Sequence, residues 1–141
     1  GSVAFLGNTQ DYGEQQLYLR FDTMQLLDLN CYLVESADLY LPKFYTDDCI
    51  LEAYKMEQPW CSFGSTWNNK VAYSDNSLPV RESEDFVIVD VREVVQDILR
   101  FNEPRNPGLV IKKKNGSGYS VVSTGDNYYR PHILEIKLTN Y

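Results

Sequence analysis

The chain has one histidine, His132, and three cysteines, Cys31, Cys49 and Cys61. A Ser-His-Asp or Cys-His nucleophilic site would have to recruit that single imidazole. No G-x-S-x-G stretch offers an exposed nucleophile beside it, so His132 is expected to be structural or to lie at a rim. The cysteines form no C-x-x-C pair and lack zinc-ligand spacing. Their odd number leaves at least one thiol free within a chain. Small buried apolar residues are the ordinary use of such thiols; a disulfide, or a link between chains, is the sharper one. Two acidic groups, Asp47-Asp48 and Glu82 with Glu84 and Asp85, supply paired carboxylates. Glycoside hydrolysis needs two such acids, one held in an apolar setting that raises its pKa. Here both groups lie among turn-forming residues, which predicts solvated surface charge. With Asp126 the same oxygens could ligate calcium, although no D-x-D-x-D-G loop is present. No cofactor is expected, calcium is left open, and catalysis is not expected.

Aromatic residues offer a different chemistry. Tyrosine occurs eleven times. Tyr128 and Tyr129 precede Arg130 and follow the turn-forming Gly125-Asp126-Asn127. Phe44 and Tyr45 stand just ahead of Asp47 and Asp48. A flat apolar ring next to side chains that reach hydroxyls suits a neutral glycan. Exposed tyrosines at strand ends are the ordinary alternative at both places. Trp60 and Trp67 can likewise stack on a sugar ring or plug the end of a core.

Composition narrows the partners. A length of 141 residues suits one domain with a real core. Gly1-Ser2 resembles a tag-cleavage remnant, which leaves 3–141 as a single domain. The net charge of -7 disfavours nucleic acid and strongly anionic glycans. Lys112-Lys113-Lys114 is the only dense basic cluster. No apolar run is long enough for a membrane span, so direct membrane insertion is not expected.

The elements that must position these residues are mostly strands. Leu17, Leu19 and Phe21 alternate with Tyr18, Arg20 and Asp22. In the next strand Leu33, Ala37, Leu39 and Leu41 share a face, and Pro42 marks its end. Cys49 to Met56 is a strand with both faces covered; Pro59 to Pro79 is mostly loop. Phe86 to Val89 is a continuous apolar run, as in a strand buried on both faces. One helix is predicted near residues 91–101, with Val91, Val94, Val95, Ile98 and Leu99 on one face. Asp90 caps it and Glu93 completes a capping box. Gly108 to Lys112 is a strand, and Asn115-Gly116 signals a hairpin that returns through Tyr119 to Ser123, with Gly116-Ser117-Gly118 as its tip. His132 to Leu138 closes the pattern with Leu134, Ile136 and Leu138 inward. Many short strands with one helix predict an all-β, antiparallel two-sheet sandwich, jelly-roll-like.

The order of these pieces, LYLRFD, ADLYL, Trp60 ahead of Ser65-Thr66-Trp67-Asn68-Asn69, VDV before the helix, NPGLVIK and PHILEIKL, resembles the DNRLRE-type β-sandwich family. That family overlaps with carbohydrate-binding modules and recurs in bacterial secreted and surface proteins. The resemblance implies a structural signature at Trp60, Thr66, Trp67, Asn68 and Asn69, with the Trp67 indole plugging one end of the sandwich. It implies an extracellular or cell-surface setting within a larger protein. Two roles then stand close together. One is a non-catalytic glycan-binding or adhesive module, with Tyr128, Tyr129, Arg130, Phe44 and Tyr45 as contact residues. The other is a structural module of a surface fibre, stalk or spore appendage that packs against neighbouring modules.

Overall fold

A computed structural model describes residues 3–9, 13–20, 26, 32–56, 73–101, 108–125 and 127–140. In chain order the elements are β1 (Val3–Thr9), β2 (Gly13–Gln15), β3 (Leu17–Leu19), β4 (Tyr32–Asp47), β5 (Ile50–Met56), β6 (Tyr73–Leu78), β7 (Val80–Glu82), β8 (Phe86–Asp90), helix α1 (Arg92–Phe101), β9 (Leu109–Asn115), β10 (Tyr119–Ser123) and β11 (Ile133–Asn140). They make two antiparallel sheets. The larger runs β2-β1-β10-β4-β8-β7, with β11 also on β4; the smaller runs β3-β9-β5-β6. Among the described residues the expected all-β, antiparallel two-sheet sandwich with a short helix at Arg92–Phe101 is therefore present.

Alternation explains the core. Leu6, Leu39, Leu41, Val87, Val89 and Val122 of the larger sheet face Leu51, Ala53, Leu109 and Ile111 of the smaller. Leu134, Ile136 and Leu138 pack against the rim of this cluster, as their period of two requires. Val34, not Leu33, joins the buried face. The register between β4 and β11 slips at Glu35, so parity changes there.

Pro42 does not end its strand, because β4 continues to Asp47. The Lys43 N–H bonds to the Asp85 carbonyl on the β8 side at 2.8 Å, so the Pro42 nitrogen faces the opposite edge. On that edge β10 pairs as far as Lys43 and β11 begins opposite Tyr40. The missing donor thus falls where the partner chain has left the ladder.

Helix α1 covers the stretch of β4 that β8 does not reach. The Val91 N–H bonds to the Ala37 carbonyl at 2.9 Å. One turn apart, Arg92 Nε donates to the Val34 carbonyl at 3.0 Å and Gln96 Oε1 accepts from the Val34 N–H at 2.9 Å. Backbone groups on an otherwise open edge are satisfied this way. Val94, Val95, Ile98 and Leu99 turn into the core as their spacing predicts. Asp90 Oδ1 accepts from the Arg92 N–H at 3.0 Å, so it caps the helix. The reciprocal half of the capping box is not made, because the Asp90 N–H is already taken by the Pro79 carbonyl at 2.9 Å.

The hairpin expected at Asn115-Gly116 is corrected. β9 and β10 do not pair; β9 lies in the smaller sheet and β10 in the larger. The chain crosses between sheets there, beside a second crossing from β4 to β5 at Asp48-Cys49. The paired strands β4 and β10 therefore pass together into the paired strands β5 and β9. Asp48 fastens the two crossings: its carboxylate takes the Ser117 hydroxyl at 2.6 Å and the Ser117 N–H at 3.0 Å, and its carbonyl takes the Gly118 N–H at 2.9 Å. The turn chemistry is as expected, since Gly116 has φ 107°. A Cβ at Gly116 or Gly118 would lie within 2.0 Å of a backbone oxygen of Asp47 or Asp48.

Residues 73–78 form β6 where a loop was expected, and β1 and β2 were not anticipated. Phe21 and Asp22 of the first expected strand lie outside the described residues, as do Cys31, Cys61, Trp60, Thr66, Trp67, Asn68 and Asn69.

Candidate functional site

β10 and β11 run in one direction along the same edge of β4, separated by residues 124–132. This segment leaves the ladder after Ser123 and rejoins it at Ile133. Its sequence dictates a tight shape. The Asn127 N–H bonds to the Thr124 carbonyl at 3.1 Å, which closes a turn. Asn127 Oδ1 then accepts from the Tyr129 and Arg130 N–H groups at 3.1 and 2.8 Å. An asparagine that folds the following backbone onto its own side chain is a common turn device.

His132 closes the neck. Its Nε2 lies 2.7 Å from the Ser123 carbonyl, and a carbonyl only accepts, so Nε2 carries the proton. Burial lowers the pKa of this imidazole, partly offset by that hydrogen bond. The structural role expected for His132 is what the geometry displays.

The closed loop holds Tyr128 and Tyr129 outward, each 88% exposed, with ring centroids 5.6 Å apart edge to face. Arg130 reaches back over β4, its guanidinium carbon 5.8 Å from the centre of the Phe44 ring. This contact brings the loop residues and the strand residues into one neighbourhood.

Phe44 and Tyr45 are consecutive, yet both stand on the exposed side, at 45% and 47%. A bulge explains it. Tyr45 is opposite Val121, but Val122 is opposite Lys43, so Phe44 is the extra residue. Parity from the buried Leu41 sends Phe44 outward; register with Val121 and Phe5 sends Tyr45 outward too. Tyr45 packs on Tyr119 at 5.3 Å, and Tyr119 on Phe5 at 6.1 Å, both tilted by about 40°. The Asp47 carboxylate beside Tyr45 raises its phenol pKa, so the hydroxyl stays neutral and can donate. The Arg130–Phe44 contact thus joins the loop that carries Tyr128 and Tyr129 to the exposed Phe44-Tyr45 stretch of β4. Phe5 and Tyr119 join them, and sequence reasoning missed both. The alternation of Val3 and Phe5 with Ala4 and Leu6 was the available signal for Phe5.

The other chemical candidates are engaged elsewhere. Asp48 is held below the usual carboxylate range by the Ser117 hydroxyl and N–H. Glu82 pairs with Lys43 at 3.6 Å. Cys49 is buried and free, and burial pushes its thiol pKa up, so it packs as a small apolar residue. Lys112 pairs with Glu52 at 3.9 Å and sits over the Tyr54 ring, whereas Lys113 faces Asp48. Strand alternation splits the lysine run into side chains on different faces. Among the described residues, no group of three His, Cys, Asp or Glu side chains comes together to hold a metal ion.

In a comparison with known families, residues 3–137 fit the model of carbohydrate-binding module family 96. No curated protein and no solved structure matches the chain.

Proposed function

We propose that this chain, which belongs to carbohydrate-binding module family 96, is a non-catalytic module that holds a glycan on Phe44, Tyr45, Tyr128 and Tyr129. The observation that carries the reading is the stapled loop. It keeps two almost fully exposed tyrosines in fixed positions next to an Arg130–Phe44 contact. Large rings held rigidly in water gain by covering their faces, and a pyranose face is a suitable cover. Arg130 supplies donors for hydroxyl oxygens. The net charge of -7 supports a neutral glycan.

The non-catalytic part rests on the family, whose members are typically binding modules, and on the imidazole of His132 being spent on loop closure. The resemblance of the sequence to DNRLRE-type domains supports a place within a larger bacterial protein, secreted or on the cell surface, where glycan binding would be adhesive.

A glycan array that includes neutral polysaccharides and an anionic polyuronate tests the class, and titration calorimetry on the best binder tests the residues. The expected result is specific binding that falls about tenfold or more in Tyr129→Ala, the usual scale for an aromatic anchor. The proposal is wrong if no glycan binds. It is wrong at these residues if the Tyr128→Ala/Tyr129→Ala double variant binds as well as the parent. Preference for the polyuronate would overturn the charge argument and leave the stacking one.

A further inference from the structure

We infer that β11 is a self-pairing edge, on which a second copy of this chain lays its own β11 in an antiparallel register centred on Ile136. Among the described residues β11 pairs with β4 alone, so its other edge is open over eight residues. The strands at the sheet ends are shorter: β2, β3 and β7 have three residues each and β6 has six. A proline or an inward-pointing charge would blunt such an edge. Ile133–Asn140 has no proline, and its inward side chains are Leu134, Ile136 and Leu138. These three pack against the core yet remain only half-buried.

Backbone phase limits how two such edges can meet. The Ala37 carbonyl takes the Val91 N–H at 2.9 Å, on the side of β4 away from β11. Backbone groups alternate sides along a strand, so Ser36, Asp38 and Tyr40 direct theirs at β11. Their partners there, Lys137, Glu135 and Ile133, are thereby engaged. Leu134 and Ile136 lie between them and aim N–H and C=O at the open edge. Leu138 does the same, because Val34 opposite it turns both backbone groups to Gln96 and Arg92 of α1. A two-fold pair centred on Ile136 sets Ile136 against its copy and Leu134 against Leu138, each with backbone groups aimed at the seam. The axis stands perpendicular to the sheet, so the two inward rows merge on one side.

Charge selects the same register. Centred on Ile136, the pair sets Glu135 against Lys137 twice, at the closely spaced non-hydrogen-bonded positions. Centred one residue either way, it sets Glu135 against Glu135 or Lys137 against Lys137. Neither residue is satisfied within the chain. Glu135 faces Asp38 across β4, a like charge whose counter-ion is Arg81 at 3.5 Å. Among the described residues neither Glu135 nor Lys137 forms an ion pair, and both are exposed. The pairing places the 124–132 loops of the two copies at opposite ends of the shared ribbon, about 20 Å apart along the strands.

Sedimentation equilibrium of the chain at low salt tests this. A monomer–dimer equilibrium with a micromolar dissociation constant is expected, as for a small transient interface. Lys137→Glu and Glu135→Lys, each alone, should weaken the dimer about tenfold or more, because two attractive contacts become repulsive. The Glu135→Lys/Lys137→Glu double variant exchanges the charges and should restore the parent affinity. Mixing the two single variants should give a heterodimer of near-parent affinity, since every seam contact then again joins opposite charges. That rescue separates pairing from misfolding. A chain that stays monomeric up to about 1 mM would overturn the proposal. So would a dimer indifferent to both single reversals, or single variants that dissociate and are rescued neither by the exchange nor by mixing.

Discussion

Replacing His132 with alanine should loosen the loop neck and flatten the protein's response to mild acid. In the folded chain its Nε2–H satisfies the carbonyl of Ser123, a residue with no exposed surface. Removing the donor forfeits one hydrogen bond and strands a buried acceptor, which together cost about 1–3 kcal/mol. In a domain of this length each kcal/mol moves the melting temperature by roughly 4 °C, so a fall of about 4–12 °C is expected at pH 7.5. The pH dependence has a definite sign. Burial lowers the folded-state pKa below the usual value of 6.5, so the unfolded chain takes up this proton first. The stability tied to a neutral imidazole is complete above pH 6.5 and is lost as pH falls through the folded-state pKa. Circular dichroism melts from pH 7.5 to 5 should show that loss in the parent and lack it in His132→Ala. Glycan affinity should fall with the variant as well, since Tyr128 and Tyr129 depend on the neck. An unchanged melting temperature together with an unchanged acid slope would refute the reasoning.

Further outcomes follow from the sheet crossings and the core. Gly118→Ala places a Cβ 1.9 Å from the Asp47 carbonyl oxygen and should cost 3 kcal/mol or more, roughly, or prevent folding; Gly125→Ala enters open space and should change urea stability by under about 0.5 kcal/mol. Asp48 adopts φ 45°, which asparagine tolerates, so Asp48→Asn tests charge without backbone strain. Because Ser117 holds the carboxyl pKa down, its contribution is present above the unfolded value near 3.9 and is lost as pH falls through the lower folded value; the variant should show a shallower acid limb below pH 4. Cys49 should resist iodoacetamide at pH 8 in the folded protein and react once urea unfolds it, as read by peptide mass spectrometry; rapid native labelling would contradict its burial.

Local chemistry was legible in the sequence and pairing was not. The helix and β11 announce themselves by period and β8 by its continuous apolar run, because burial imposes the same pattern wherever the partner lies. Asn115-Gly116 correctly signals a positive φ, yet the strand it starts pairs with β1 and β4, a choice made by distant residues. Local turn signals carry no information about that choice. The same limit applies to the surface. The loop tyrosines and the Phe44-Tyr45 pair stand out by type and by neighbouring turn residues. That Arg130 lies over Phe44, or that Tyr119 bridges Phe5 and Tyr45, depends on register between strands far apart in the chain. The bulge at Phe44 left no mark in composition at all.

Because one run meets β4 from Lys43 to Asp47 and another meets it from Tyr32 to Tyr40, the excursion between them behaves like an interchangeable tool head on a fixed handle. Evolution, or an engineer, can lengthen or rewrite residues 124–131 while the flanking ladders keep their alignment. New sugar preferences are then reachable without rebuilding the packed layer between the two sheets.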